Sequence, residues 1–354
     1  MKNITPSPMK SCLALAALGL ACAGAAAQSS VTIYGNLDVG LYAGNNDTQT
    51  QVANGGISPS IWGFKGTEDL GGGLKAFFNL EAHFYTDTGA AEKPTFRRQS
   101  NVGLTSANLG TLTLGNMYSQ AALAYAATDP RGIRENFSGL YTWAYNSGAL
   151  VGTNSTNNDV GVFVSNAVAY SNNFGPVGVG ASYSVAEKAP GRGGAVTTLG
   201  LTYTGPVVLS ASYTEVDHVN SSNTLAKMYT VGAGYTMGAF TAKVNYLNGV
   251  NKTIAGVETN DVGVIGLGLD WKTSSANTVM AAFYRGKDDK FNNSTTKTLI
   301  LANEYALSKR TTLYGQLAFA DVGSNATLRT QVVAGGTQLG ETTNLLNVGI
   351  KHSF

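Results

Sequence analysis

The stretch that decides the fold is the last one in the chain, Leu346-Asn347-Val348-Gly349-Ile350-Lys351-His352-Ser353-Phe354. Its apolar residues Leu346, Val348 and Ile350 share one parity with His352 and Phe354, and the residues between them are small or polar. Successive side chains of a β-strand point to opposite faces. The pattern therefore predicts a strand with one apolar face and one polar face, ending in an aromatic residue.

The other end of the chain has the pattern of a secretory signal peptide. Lys2 and Lys10 give a positive start, an uncharged apolar run covers 12–23, and Ala25-Ala26-Ala27 offers a small-residue cleavage site. The apolar run is too short for a membrane helix. Cleavage at Cys22, as in a lipoprotein, is the weaker alternative. We therefore expect two parts, a signal peptide over 1–27 and one mature domain over 28–354.

The composition limits the class of protein. Both cysteines lie in the expected signal peptide, so the mature chain should have no disulfide and no thiol chemistry. Its 21 basic and 21 acidic residues balance, which argues against a nucleic-acid partner. Only 12% of the residues are charged, about half the usual share. A membrane barrel needs few charges, because its outer face meets lipid and its inner face can carry small polar residues.

Alternation with a period of two recurs along nearly the whole chain, for example over 31–41, 229–237, 240–246 and 313–319. Tight turns between these runs alternate with longer polar stretches, a layout typical of outer-membrane barrels. The number of runs predicts an all-β fold, a transmembrane antiparallel β-barrel of about 16 strands. A barrel of that size has an interior open to water.

Several segments of the chain carry a resemblance to a known family. The strongest is Trp62–Ala76, which reads WGFKGTEDLGGGLKA. Further matching segments are Gln28–Gly35, Asp87–Gly89, Gly110–Gly115, Tyr305–Thr311 and the terminal Phe354. Across the mature chain they resemble the general porins of Gram-negative bacteria, in the branch typical of beta-proteobacteria. The resemblance implies a homotrimer of 16-stranded barrels in the cell outer membrane. It also implies contact with outer-membrane lipid and lipopolysaccharide, and recognition of the terminal aromatic residue by the outer-membrane assembly machinery.

One connection is much longer than the others. Residues 119–158 show no clean alternation, and a loop of this length inside a compact unit needs a reason. We expect it to be the third loop of the resembled family, folded inward as a constriction. An external flap or an unrecognised strand pair remain as alternatives. Its charged residues are Asp129, Arg131, Arg134 and Glu135, each of which could also be a solvated loop charge.

The chain departs from the family where ion selectivity is set. Ile61, Asn116 and Phe163 stand where the resembled porins usually carry the arginines of a ladder on the barrel wall. Arg98 is the remaining match, with Arg97 beside it. Alternation directs Arg97 into the lumen, whereas the resemblance directs Arg98 there, and a β-bulge would reconcile the two. Because the ladder is thinned, we do not expect strong anion preference.

The strand before these arginines has a polar parity that should line the lumen. It contains Lys75, Asn79, Glu81 and His83. Glu81 is a candidate ionic partner for Arg98 across the strands, although a buried pair that only stiffens the wall is as plausible. The candidate pore-lining and constriction residues are Lys75, Glu81, Arg97, Arg98, Asp129, Arg131, Arg134 and Glu135.

The expected function is passive diffusion of ions and small hydrophilic solutes through a water-filled outer-membrane channel. The alternative is a substrate-specific porin for sugars or small organic acids, with Tyr141, Trp143 and Tyr145 as a stacking surface. An adhesin or autotransporter barrel would need a passenger domain ahead of the strands, and a secreted soluble β-protein should not end in an aromatic assembly signal.

No enzyme motif is recognisable in the sequence. The three histidines are far apart and have no metal-ligand spacing. No phosphate-binding loop, dinucleotide fingerprint or hydrolase motif is present. We therefore expect no catalytic activity, no cofactor and no metal.

Overall fold

The structure is a computed structural model that describes residues 30–46, 50–134, 137–139, 162–185, 194–218, 223–326 and 338–354. The expected signal peptide, 1–27, lies outside these residues, as does most of the second half of the long connection. Within the described ranges, no helix is both long and apolar enough to cross a membrane.

The described residues form one antiparallel sheet of seventeen strands and a short helix in the long connection, α1 (Gln120–Ala126). The strands are β1 (Ser30–Gly44), β2 (Gln51–Asn54), β3 (Ile61–Gly71), β4 (Leu74–His83), β5 (Gln99–Ser106), β6 (Gly110–Tyr118), β7 (Phe163–Phe174), β8 (Val177–Ser184), β9 (Val196–Thr204), β10 (Val207–Asp217), β11 (Thr224–Met237), β12 (Phe240–Lys252), β13 (Glu258–Lys272), β14 (Asn277–Asp288), β15 (Thr296–Ala306), β16 (Thr311–Val322) and β17 (Thr342–Ser353).

The sheet closes on itself through β1. One edge of β1 pairs with β17, from Asn36 opposite Ser353 to Gly44 opposite Leu345. Its other edge pairs first with β3 and then, further along, with β2. Because β2 and β3 follow each other along the same edge, they occupy one position, and the barrel has 16 strand positions. The predicted fold class and strand number are confirmed.

The alternation of burial explains why this sequence closes into a barrel with a wet interior. On β17 the exposed fractions are 44% for Leu346 and 52% for Val348, whereas Asn347 between them is fully buried. The same contrast of exposed apolar and buried polar residues recurs from strand to strand. A continuous apolar outer surface of this extent is stable only against an apolar medium.

The ends of the barrel differ in their connections. At the end that contains Phe354, β3 and β4 are joined by Gly71, Gly72 and Gly73, whose φ angles of +84°, +62° and +80° require glycine. Outward-facing Phe240 and Trp271 stack near that end, with ring centroids 5.9 Å apart. The long connections leave from the opposite end. One of the longer polar stretches, 44–57, lies at this end and contains the short strand β2.

Candidate functional site in the barrel interior

The long connection begins with a helix that lies against the inner face of the barrel. Ser119 caps α1, because its hydroxyl accepts a hydrogen bond from the Ala122 amide at 2.9 Å. The Gln120 amide donates to the hydroxyl of Thr198 on β9 at 3.1 Å. A Cβ placed on Gly200 of β9 would overlap the carbonyl oxygen of Gln120. The helix therefore packs on the wall where a glycine leaves room for it.

The segment after α1 continues across the inner faces of the next strands. The Thr128 hydroxyl lies 2.6 Å from that of Ser210 on β10 and accepts a hydrogen bond from the Asn245 amide on β12. Pro130 packs on Gly268 of β13, where a Cβ would lie 2.7 Å from the proline ring. These contacts are made by side chains that face inward, so residues 119–130 follow the inner wall over a span of several strands.

Asp129 is completely buried in this segment. Its carboxylate accepts hydrogen bonds from the Tyr284 hydroxyl at 2.8 Å and from the amide of Ile133. Burial raises the pKa of Asp129. The carboxylate therefore fixes the turn of the connection and contacts no solvent.

Arg131 is also buried, with 3% of its surface exposed. Its guanidinium donates to the Gln316 side-chain oxygen on β16 at 2.7 Å and lies 3.9 Å from Glu304 on β15. Burial lowers the pKa of Arg131 to about 10. Arg134, three residues later, is partly exposed and forms an ion pair with Glu304. The connection, which follows β6, thus reaches the inner faces of β15 and β16.

A second cluster lies around Arg98. Its Nε donates to Oε1 of Glu81 at 2.8 Å, and a terminal nitrogen contacts the Tyr118 hydroxyl. The Tyr34 hydroxyl donates to the other oxygen of Glu81 at 2.9 Å. The guanidinium carbon lies 5.1 Å from the centre of the Phe163 ring, within cation–π range. Arg98 is 6% exposed and Glu81 is 4% exposed.

Arg97 points away from that cluster. It forms an ion pair with Glu92 in the connection between β4 and β5, and Glu92 also binds Nδ1 of His83 at 2.6 Å. The Arg97 carbonyl accepts a hydrogen bond from Asn116 at 2.6 Å. Arg97 and Arg98 precede the first residue of β5, Gln99. The alternation of inward and outward side chains along β5 therefore does not extend to the two arginines.

The remaining predicted residues are dispersed. Lys75 is exposed near the glycine turn, in register with Asp69 on β3 and Thr105 on β5. Glu135 lies outside the described residues, and so do Tyr141, Trp143 and Tyr145. Among the residues that the structure describes, no group of His, Cys, Asp or Glu has the arrangement of a metal site.

The sequence candidates leave out several inward-facing charges, among them Glu304, Lys243 and Asp270. Glu304 pairs with Arg134, and the Nζ atom of Lys243 on β12 lies 4.0 Å from a carboxylate oxygen of Asp270 on β13. Strand parity could have found them, since Glu304 shares its face with buried Thr296 and Thr298. Phe163, which stands where the resembled porins usually carry an arginine, has its ring centre 4.6 Å from that of Tyr118 and takes part in the cluster around Arg98.

Taken together, a closed barrel with an apolar outer face and a polar interior defines the class of outer-membrane channels. A family model described as Gram-negative porin matches residues 14–325. The outer membrane porin protein 32 of Delftia acidovorans is 35% identical over 369 residues, covering 98% of this chain and 99% of the relative. An outer membrane porin protein of Bordetella pertussis is 28% identical, covering 88% and 94%.

The chain belongs to the Gram-negative porin family. The anion-selective porin from Comamonas acidovorans has a similar structure, with a TM-score of 0.82 and 27% identity over 92% of this chain and 100% of that one. The trimer form of OmpT from Vibrio cholerae has a TM-score of 0.69 at 15% identity, over 92% and 99%, which shows the fold alone.

Membership of this family establishes the location and the basic activity. The protein is an outer-membrane barrel that works as a passive diffusion channel, and porins are channels rather than enzymes. The predicted class, location and function are confirmed. The alternative of a substrate-specific porin is not favoured by these relatives.

Proposed function

We propose that residues 119–158 form the constriction of this water-filled channel. The observation that carries the proposal is the series of contacts from Thr198 on β9 to Glu304 on β15 made by residues 119–134. A segment held along the inner wall in this way reduces the free cross-section of the lumen. Residues 135–136 and 140–158 of the connection lie outside the described residues.

The candidate charges would then divide into three roles. Arg134 and Lys75 retain solvent exposure and would contact the permeating solution. Asp129 and Arg131 are buried and would hold the connection against the wall. Arg98 and Glu81 would hold the wall itself, with Arg97 beside them and Glu135 at the constriction.

We further propose that ion selectivity is weak. The Arg134–Glu304 and Lys243–Asp270 pairs and the buried Arg98–Glu81 pair each combine opposite charges. The fields of paired charges partly cancel in the lumen, whereas unpaired arginines would add to each other. Cation and anion permeabilities within about tenfold of each other are therefore expected. Anion selectivity, the property named for the porin of Comamonas acidovorans, is the competing outcome.

The assembled state is also a proposal. We propose removal of residues 1–27 on export, assembly as a homotrimer, contact with outer-membrane lipid and lipopolysaccharide, and recognition of Phe354 by the assembly machinery. The trimer form of the structurally similar OmpT supports the oligomeric state. The mass of the mature chain tests the removal of residues 1–27. The size of the unheated complex in detergent tests the trimer.

A single-cysteine experiment tests the constriction directly, because residues 28–354 contain no cysteine. The variant Arg134→Cys is opened in a planar bilayer and exposed to a negatively charged thiol reagent. We expect an irreversible fall in single-channel conductance. The matched variant Lys309→Cys, in a tight turn at the barrel end, should react without changing conductance. Reaction at position 134 without a change in conductance would contradict the proposal.

A further inference from the structure

Two basic residues lie directly opposite each other on the outer face of the barrel. Arg285 of β14 pairs in register with Lys297 of β15. Both are exposed, and they share the outward parity of Phe283 and Leu299, whose exposed fractions are 36% and 39%. Like charges directly opposite on one face of a sheet destabilise it. An anion bound between the two side chains would offset this repulsion.

The protein supplies only partial compensation. Asp321 of β16 is in register with Lys297 on its other side and is also exposed. Within the described residues, however, none of the ion pairs includes Arg285, Lys297 or Asp321. Lys287, on the same face, is paired with Asp289. The row of two cations and one carboxylate keeps a net positive charge.

The position of the pair selects its partner. Lys297 is the second residue of β15 and Arg285 lies near the end of β14, both next to the connection 289–295. This is the long-connection end of the barrel, which faces the cell exterior in outer-membrane barrels. The cations thus lie directly above the lipid-facing residues Phe283 and Leu299, where an arginine or lysine costs little and can extend toward the headgroups.

We propose that Arg285 and Lys297 bind a phosphate of a lipid headgroup in the outer leaflet, an assignment that rests on the lipid and lipopolysaccharide contact proposed above. Guanidinium groups match phosphate geometry with two parallel hydrogen bonds, and a lysine adds a point charge beside it. The acyl chains of the same lipid would lie along Phe283 and Leu299. The bound phosphate would offset the repulsion between the two cations.

Native mass spectrometry of the detergent-solubilised protein, titrated with diphosphoryl lipid A, tests this site. The double variant Arg285→Gln/Lys297→Gln should bind the lipid about 30-fold more weakly. Each basic residue near a membrane surface increases the affinity about fivefold, and the variant removes two of them. The matched control Lys309→Gln/Arg310→Gln removes one lysine and one arginine at the opposite end and should bind like the wild type. Single-channel conductance of both variants should equal the wild-type value, which verifies folding.

Further arms identify the source of the phosphate. Fully dephosphorylated lipid of the same acyl composition should lose most of the binding, and millimolar inorganic phosphate should not compete. Asp321→Asn, which removes the neighbouring carboxylate, should tighten binding and remains informative if the double variant fails to assemble. Unchanged binding in the double variant or in Asp321→Asn, equal binding of dephosphorylated lipid, or full competition by inorganic phosphate would each overturn the proposal.

Discussion

Arg98 and Glu81 form a buried ion pair on the inner wall, with Nε of the arginine 2.8 Å from Oε1 of the glutamate. Their side chains are 7% and 5% exposed, and Tyr34 and Tyr118 complete their hydrogen bonds. A buried pair contributes little net stability compared with an apolar pair, but loss of one partner leaves an uncompensated charge. The first prediction follows from this asymmetry.

Glu81→Gln should destabilise the barrel by about 3–5 kcal/mol, because Arg98 then remains buried without a carboxylate. Thermal unfolding of the protein in detergent measures the effect. Glu341→Gln, a substitution at an exposed position between β16 and β17, serves as the matched control and should leave the midpoint unchanged. Equal midpoints for Glu81→Gln and the wild type would show that the pair has no structural role.

Arg134 and Glu304 should shift ion selectivity in opposite directions. Removal of the cation by Arg134→Gln should favour cations by about twofold, and Glu304→Gln should favour anions by a similar factor. The double variant should return close to the wild type, because the charges of the pair cancel. Reversal potentials in a salt gradient measure all three. Shifts of the same sign in both single variants would contradict a constriction lined by this pair.

Gly200 should be intolerant of even a methyl group. Gly200→Ala would overlap the Gln120 carbonyl and force α1 away from the wall, at a cost of about 1–3 kcal/mol and with a lower single-channel conductance. Gly234 on β11 is the matched control, since its nearest neighbour to an added Cβ is 3.7 Å away. Gly234→Ala should behave like the wild type. Equal conductance and stability of both variants would mean that α1 does not depend on this contact.

The connection between β4 and β5 should lose stability in acid. Burial raises the pKa of Glu92, but the hydrogen bond with His83 and the charge of Arg97 outweigh it and lower the pKa below its usual value near 4.5. A lowered folded-state pKa means that the carboxylate stabilises the folded state above its unfolded pKa, and that this is lost as the pH falls through the folded value.

The measurement for Glu92 is thermal unfolding across about pH 3 to 6. The temperature midpoint of wild-type unfolding should decrease as the pH is lowered below about 4.5. In Glu92→Gln the midpoint should be lower at pH 6, and the part of the acid dependence that is due to this carboxylate should be absent. Parallel curves for the two proteins would exclude Glu92 as the titrating group.

The sequence was sufficient for the fold because alternation in a barrel is enforced at every strand. A residue such as Val348 faces lipid and Asn347 faces the interior, so a one-residue slip would reverse both. Strand number, closure and the tight glycine turn were predictable for that reason. β2 was not, since its four residues lie in a polar stretch and are held by pairing with β1 rather than by alternation of their own.

The interior was only partly predictable. Alternation assigned Glu81 to the inner face, but it failed at Arg98, because both arginines precede the regular part of β5 and the neighbouring β6–β7 pair is irregular between Gly115 and Met117. Glu304 was overlooked although its parity was readable. The burial of Asp129 and Arg131 follows from packing of the connection against distant strands, which no local pattern encodes.

The channel and its weak selectivity are tested together by the current through the purified, export-matured protein in a planar bilayer with a salt gradient. We expect stepwise openings without any energy source, conductance that increases with bulk salt, and cation and anion permeabilities within about tenfold of each other. A protein that dissolves without detergent and leaves the bilayer electrically silent would contradict the channel itself. A strongly anion-selective current would contradict the pairing of charges in its lumen.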